Sequence, residues 1–126
     1  MKLVPEAKDT GAIEGYHAHI YYDPEHTKET AAWVREQIEQ RFTPIRMGRW
    51  HDVPVGPHPT AMFQVAFGTE LFDSLVPWLM LNRQGLIVLV HPETDRPRDD
   101  HLLHALWLGE RLPLNGAIMP ETRQES

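Results

Sequence analysis

The chain has 126 residues, of which 41% are apolar and 24% are charged, and its 18 acidic and 12 basic side chains give a net charge of −6. This length is enough for one domain with its own hydrophobic core, and the acid excess disfavours a nucleic-acid partner because it repels phosphate. The absence of cysteine excludes disulfides, thiolate metal sites and a cysteine nucleophile.

Residues 1–14 form a polar leader that we expect to be flexible. It lacks the apolar run of a signal peptide, and no stretch approaches the roughly 18 consecutive apolar residues that a membrane helix needs. We therefore expect a cytoplasmic protein without a membrane partner.

The first strand is predicted at residues 16–22, which are rich in aromatic and β-branched side chains and are followed by an Asp-Pro stop. Alternation along a strand sends neighbouring side chains to opposite faces of the sheet. One face then carries Ala18, Ile20 and Tyr22, and the other carries His17, His19 and Tyr21.

Helix-capping residues, prolines and glycines that end elements, and the spacing of apolar residues together predict two helices and three further strands. Residues 100–109 form a last ordered segment, which is either helix or strand, and 113–126 are expected to be an exposed, flexible tail. In chain order the predicted elements are a helix at 27–42 begun by Thr27, an edge strand at 45–51, a strand at 61–67, a helix at 69–82 begun by Thr69, and a strand at 86–90.

The order βαββαβ predicts a ferredoxin-like α+β domain over residues 15–112, with a four-stranded antiparallel sheet and a C-terminal extension. We expect the strand order 4-1-3-2, with strands one and three parallel, and helices on one face only. In that arrangement the starts of strands one and three and the end of strand four lie at one edge of the sheet.

Three of the eight histidines fall at this edge: His17, His58 and His91. Burying imidazoles without hydrogen-bond partners is unfavourable. A sheet face that carries several of them is therefore either exposed to water or binds a ligand such as a metal ion. Neutral imidazole is a common metal ligand, and with nitrogen and oxygen donors only, the candidate ions are iron(II), zinc, manganese and nickel.

The other histidines are less well placed, because a single histidine is more often hydrogen-bonded than a ligand. His19, two residues further along its strand, is expected either to bind metal or to contact substrate. His26 is expected to be solvated in its turn, and His51 to be structural or to line a pocket mouth. His101 and His104 share a face if their segment is helical.

Four separated motifs carry a family resemblance: residues 16–22, 56–67, 89–92 and 100–109. Together they resemble the DOPA 4,5-dioxygenase family, in order and over nearly the whole chain. The resemblance implies a ferredoxin-like, commonly homodimeric enzyme that cleaves a catechol ring beside its two hydroxyls, using molecular oxygen and a non-heme metal. The substrate would be L-DOPA or a related plant phenolic.

Carried over to this chain, the resemblance makes His17, His19, His58 and His91 the candidate metal ligands, with iron(II) as the expected ion and zinc, manganese or nickel able to replace it in a purified sample. His19 or His101 is the candidate general base. The candidate substrate contacts are Tyr21, Arg49, Trp50 and Gln64, with Arg49 holding a substrate carboxylate.

Two other readings remain open from the residues. In one, the chain is a non-enzymatic, dimeric, ferredoxin-like module that binds a small ligand, and its histidines are hydrogen-bonded across the subunit interface. In the other, the chain is a cofactor-free monooxygenase relative, or a hydrolase or isomerase that keeps the metal.

Overall fold

The structure is a computed structural model that describes residues 4–123. In this part of the chain, no helix is both long and apolar enough to cross a membrane. Its strands are β1 (Gly15–Tyr21), β2 (Ile45–Met47), β3 (Met62–Phe67), β4 (Val88–Glu93) and β5 (Leu106–Leu108), and its α-helices are α1 (Lys28–Arg41), α2 (Phe72–Asn82) and α3 (Pro97–Leu102).

The fold is α+β, with one open sheet in the order β2-β3-β1-β4-β5. All four strand pairs are antiparallel, and β1 lies at the centre. The first four strands follow the expected order, but the sheet has five strands and not four. Residues 100–109 contain both the end of α3 and the whole of β5, which is why their pattern matched neither element alone.

The expectation that strands one and three are parallel is wrong. Tyr16 pairs with Phe67 and Tyr21 pairs with Met62, so β1 and β3 run in opposite directions. The chain crosses over α1 before β2, and β3 then turns back against β2. Because β2 has the direction of β1, β3 must oppose both.

The main core lies between the two long helices and one face of the sheet. Residues three and four apart share a helix face, which explains the buried face of α1 at Ala31, Val34 and Ile38. The predicted alternation of β1 and β3 is confirmed for this face. The strands and α2 contribute Ala18, Ile20, Tyr22, Phe63, Val65, Phe67, Leu75, Val76 and Leu79.

The helix boundaries agree with the sequence at α1 and differ at α2. Thr27 and Phe42 flank α1 as expected. Thr69, predicted as the N-cap of the second helix, instead begins a 3-10 turn, and α2 starts at Phe72. Pro77 lies within α2, where its ring removes one helical N–H donor.

The fourth strand begins two residues later and ends three residues later than predicted. Gln84 and Gly85 both have positive φ, 56° and 79°, and this turn delays the entry into the sheet. The strand continues to Glu93, which pairs with Gly15. His91 therefore lies inside β4 and not after it.

The other face of the sheet carries a smaller apolar cluster around Tyr21, Met62 and Leu89. Residues from loops, from β5 and from the C-terminal segment pack against it: Val55, Ile87, Ala105, Trp107, Leu112 and Leu114. This covering makes the second face a partly enclosed environment.

The expectation of an exposed tail is wrong at Met119, which is buried. The guanidinium of Arg98 donates to the carbonyl oxygens of Gly116 and Met119 and so holds the tail against α3. The flexibility of both termini and the 15–112 domain boundary stay predictions.

Asp100 fixes the connection between β4 and α3. Its carboxylate is buried and accepts hydrogen bonds from the backbone N–H and the hydroxyl of Thr94, each at 2.8 Å. This pair sets the start of α3, and thereby the position of His101 on the next turn.

We expect Asp100→Ala to destabilise the protein by about 1–3 kcal/mol, because it leaves the Thr94 donors without their buried acceptor. Asp99→Ala is the matched control, since Asp99 lies on the same helical turn and is only partly buried; its effect should stay below about 1 kcal/mol. Urea denaturation of both variants measures the difference. Equal losses of stability would contradict a special role for Asp100.

Candidate metal centre

The pairing of β1 with β4 brings the first two histidines together. His17 lies directly opposite His91, and their ring centroids are 5.2 Å apart. Side chains of directly paired residues lie on the same face of a sheet. This face is the one that the main core does not use.

His19 adds a third imidazole from the same strand, since residues two apart share a face. Its Nε2 lies 3.1 Å from Nε2 of His91. Each of His17, His19 and His91 offers one ring nitrogen such that all three lie within 4.8 Å of one another. That spacing and donor type suit a first-row transition metal.

His58 and His101 complete a cluster of five imidazoles, which we call the histidine cluster: His17, His19, His58, His91 and His101. The ring of His58 is 4.3 Å from that of His19, and the ring of His101 is 3.8 Å from that of His91. The structure thus brings His17, His58 and His91, which the sequence analysis predicted to lie together, into one cluster with His19 and His101.

The reason given for His58 was wrong. Because β3 is antiparallel to β1, the start of β3 lies beside Tyr21, at the far end of β1 from His17. The loop before β3 carries His58 back over the sheet, where its Nδ1 lies 2.7 Å from the Tyr21 hydroxyl. A loop and not the sheet edge therefore places this residue.

In four of the five histidines, Nδ1 is engaged by a neighbouring oxygen. The carbonyl oxygens facing His91 and His101 accept, so Nδ1 of each of these rings donates and the lone pair of the neutral ring is left on Nε2. The Tyr21 hydroxyl can donate to His58 or accept from it, and Glu93 lies within ion-pair distance of His17. The contacts are His17 with Glu93 Oε1 at 3.1 Å, His91 with the Pro92 carbonyl at 2.9 Å, His101 with the Pro97 carbonyl at 2.7 Å, and His58 with the Tyr21 hydroxyl.

His19 is the exception. Its Nδ1 is buried and has no hydrogen-bond partner among residues 4–123. A buried polar atom without a partner costs about 1–3 kcal/mol, and such atoms frequently mark a site for an ion or water. The orphaned nitrogen of His19 and the Nε2 lone pairs of His91 and His101 together fit a bound cation.

All five rings are held in the neutral form that ligates metal. Burial is the main cause, and it lowers the pKa of His17 and of His58 to about 4 and that of His91 to about 3. The charge of a protonated neighbour, chiefly His101, lowers each further. Burial also lowers the pKa of His19 well below its ordinary value and lowers that of His101.

Of the four predicted substrate contacts, the structure brings two to the cluster. Tyr21 touches His58, and Gln64 lies opposite His19 in the β1–β3 pairing. Trp50 instead packs against Phe63 in the main core, with ring centroids 5.1 Å apart. It lies on the opposite face of the sheet from the cluster.

Arg49 is exposed after β2, and within the described residues no hydrogen bond or ion pair joins it to a histidine. His104 is also exposed, beyond the end of α3, so it does not share the face of His101. His26 is exposed beside Asp23, as expected.

Sequence reasoning missed three residues on this face. Glu93 was left in a loop because the strand was ended too early; two residues after His91, it shares the histidine face. Trp107, whose ring stacks on Tyr21 at 6.1 Å, lay in the unassigned segment. Arg46 stands between Ile45 and Met47, which pack towards the core, and this alternation was a usable signal.

A cavity of about 360 Å³ opens at the edge of the cluster. His17 is the one member of the cluster that lines it, together with Glu93, Ala66 and Arg46. The cavity therefore reaches the cluster from the His17 side.

Comparison with known proteins identifies a family. Residues 16–118 match the family model described as "Dopa 4,5-dioxygenase family". A protein from Nostoc punctiforme PCC 73102, whose crystal structure carries the provisional name of a dioxygenase, superposes with a TM-score of 0.85 at 51% identity, over 88% of this chain and 95% of that one.

Two curated fungal proteins are also similar. An uncharacterised 21.2 kDa protein of Botryotinia fuckeliana is 38% identical over 132 residues, which covers 95% of this chain and 71% of the relative. A protein of Amanita muscaria named DOPA 4,5-dioxygenase is 31% identical over 86% of this chain, and the match spans half of that relative.

The neutral histidines predict a metal-free protein that loses stability on mild acidification. A histidine whose pKa is lower in the folded state than in the unfolded state does not make the free energy of unfolding depend on pH above about 6.5. Below that pH, the unfolded chain binds protons that the folded cluster does not bind, so the folded state loses stability. We expect the free energy of unfolding to fall by on the order of 1 kcal/mol per pH unit for each buried histidine. For His17 and His58 the loss continues down to a pH of about 4.

Urea denaturation in a chelator between pH 7.5 and 4.5 measures this loss, and His91→Gln should show a smaller slope. Burial raises the pKa of Glu93, so acidification stabilises the folded state through this group. This effect comes from one carboxyl group, whereas the destabilising effect comes from five imidazoles. A flat profile from pH 7 to 4.5, or an unchanged slope in His91→Gln, would contradict the prediction.

Proposed function

We propose, from the premise that this chain belongs to the DOPA 4,5-dioxygenase family, that it is an extradiol ring-cleaving dioxygenase for a catechol such as L-DOPA or a related plant phenolic. Molecular oxygen would be the second substrate, and both of its atoms would enter the product as one ring bond beside the hydroxyls is broken. The observation that carries the proposal is the cluster of five neutral imidazoles, of which three are buried and two are partly exposed.

His17, His19 and His91 are the proposed metal ligands, because their ring nitrogens lie close enough to share one ion. His58, which packs on His19, is the proposed fourth. The expected ion is iron(II), and zinc, manganese or nickel suit the same donors in a purified sample. A redox-active metal at this site would let electrons pass from the catechol ring to molecular oxygen.

The protein's own groups would hold the ligands and move the proton. Glu93 and the carbonyl of Pro92 fix the rings of His17 and His91 through their Nδ1 atoms. His101 is the proposed general base, with His19 as the alternative. Because Nδ1 of His101 donates to Pro97, its Nε2 can accept the proton of a catechol hydroxyl.

Tyr21 and Trp107 would form an aromatic wall beside the cluster. Their rings are nearly parallel, and the Tyr21 hydroxyl is directed to His58. Burial raises the pKa of this phenol, so it stays protonated and serves as a hydrogen-bond donor or acceptor. This wall would close the cluster on the side of His58, while the cavity opens on the side of His17.

We also propose the ferredoxin-like scaffold for the first four strands and their helices. The homodimer and the cytoplasmic location inferred from the sequence stay predictions.

The decisive experiment is anaerobic iron(II) loading, followed by metal analysis and by oxygen uptake with L-DOPA and caffeic acid. We expect about one metal per chain and a yellow ring-cleavage product formed with matched oxygen uptake. His91→Ala should lose stoichiometric metal and lower oxygen uptake by at least about 100-fold. His26→Ala is the matched control, because His26 is exposed and distant from the cluster.

The possible results separate the candidate functions. Stoichiometric metal without oxygen uptake on either catechol would leave a metal centre and refute the dioxygenase. Wild-type protein that binds no metal would refute both and favour the ligand-binding module.

Glu93→Gln tests the orientation of the ligands separately from the chemistry. It keeps the size of the side chain but removes the charge that holds Nδ1 of His17, so we expect metal affinity to fall by about 10–100-fold. Competition with a chromogenic chelator measures this change without any turnover. Glu121→Gln, an exposed carboxylate paired with Arg98, should bind metal as the wild type does; an equal loss in both variants would contradict the role of Glu93.

A further inference from the structure

The cavity beside His17 is an accessible approach to the histidine cluster, and Arg46 lines the same cavity. His19, His58 and His91 are buried, and the closest rings of the cluster lie 3.8 Å apart. His17 is partly exposed and lines the cavity. A ligand that fills the cavity therefore meets the cluster at this ring.

Arg46 lies at the other end of the same row of side chains. It pairs with Ala66, Ala66 pairs with His17, and His17 pairs with His91. Directly paired residues share a face, so Arg46 is on the histidine face, about 10 Å or two strand spacings from His17. Ala66 between them has the smallest side chain of the row and leaves room above it.

The charges in this cavity leave Arg46 available to a ligand. Glu93 faces His17, and Glu14 is paired with Arg123. Arg46 is exposed, and among residues 4–123 no carboxylate lies within ion-pair distance of it. Its charge is felt at the cluster, since it contributes to the lowered pKa of His17.

We propose that the cavity receives the side chain of the catechol and that Arg46 binds a carboxylate at the end of that side chain. The ring would lie at the His17 end. A guanidinium binds a carboxylate through two parallel hydrogen bonds, which fixes orientation as well as charge. This inference rests on the proposed function, and it makes the enzyme selective for carboxylated over neutral catechols.

Caffeic acid and methyl caffeate are the test pair, since they share the catechol ring and differ at the carboxyl group, where the ester carries a methyl group in place of the charge. We expect wild-type kcat/KM to favour the acid by about tenfold or more, and Arg46→Gln to lower kcat/KM for the acid until this preference is lost. Arg41→Gln makes the same charge change at an exposed site at the end of α1 and should keep the preference.

Calorimetric binding of both compounds to the iron-loaded protein without oxygen supplies a second readout. We expect caffeate to bind more tightly than the ester to the wild type and to Arg41→Gln, but not to Arg46→Gln. This result would support the role of Arg46 even if no ring is cleaved. The absence of ring cleavage would instead refute the proposed function. Ring cleavage with equal preference for acid and ester, or a preference unchanged in Arg46→Gln, would overturn the role of Arg46 and leave the dioxygenase intact.

Discussion

The candidate site depends on one structural constraint, the antiparallel pairing of β1 between β3 and β4. This strand contributes Ala18 and Ile20 to the main core and His17 and His19 to the other face. Both faces are set by the same two-residue period, so a register slip of one residue would bury the histidines among aliphatic side chains and expose the core. The stability of the core thus enforces the geometry of the histidine cluster.

Five imidazoles in a partly enclosed space are unfavourable unless their nitrogens are satisfied. The chain meets this requirement with oxygens supplied from nearby backbone and side chains, including Glu93, Tyr21 and the carbonyl of Pro97. These contacts orient the rings before any ligand binds, and the two carbonyl contacts leave the lone pairs of His91 and His101 on Nε2. The orphaned Nδ1 of His19 is the point at which the protein alone does not satisfy the cluster.

One row of paired residues across the sheet carries two kinds of ligand-binding group at different positions. The neutral imidazole nitrogens lie at the centre of the sheet, on β1 and β4. The positive charge of Arg46 lies towards the edge of the sheet, on β2. The cavity joins the two ends. A ligand with an electron-rich ring and a carboxylate on its side chain has groups that match both, and DOPA, after which the family is named, has such a ring and such a carboxylate.

The sequence by itself determined the α+β class and the strand faces, including the face shared by His17 and His19, because alternation and helical spacing are local properties that each segment carries alone. It did not determine the direction of β3, the fifth strand, or the end of β4, and so it left Glu93 in a loop and Arg46 unnoticed. Only the tertiary structure decided that a loop carries His58 over the sheet, that α3 brings His101 but not His104, and that Trp50 belongs to the core. The physical reason is that these placements depend on pairing and packing between segments distant in the chain, which no local pattern encodes.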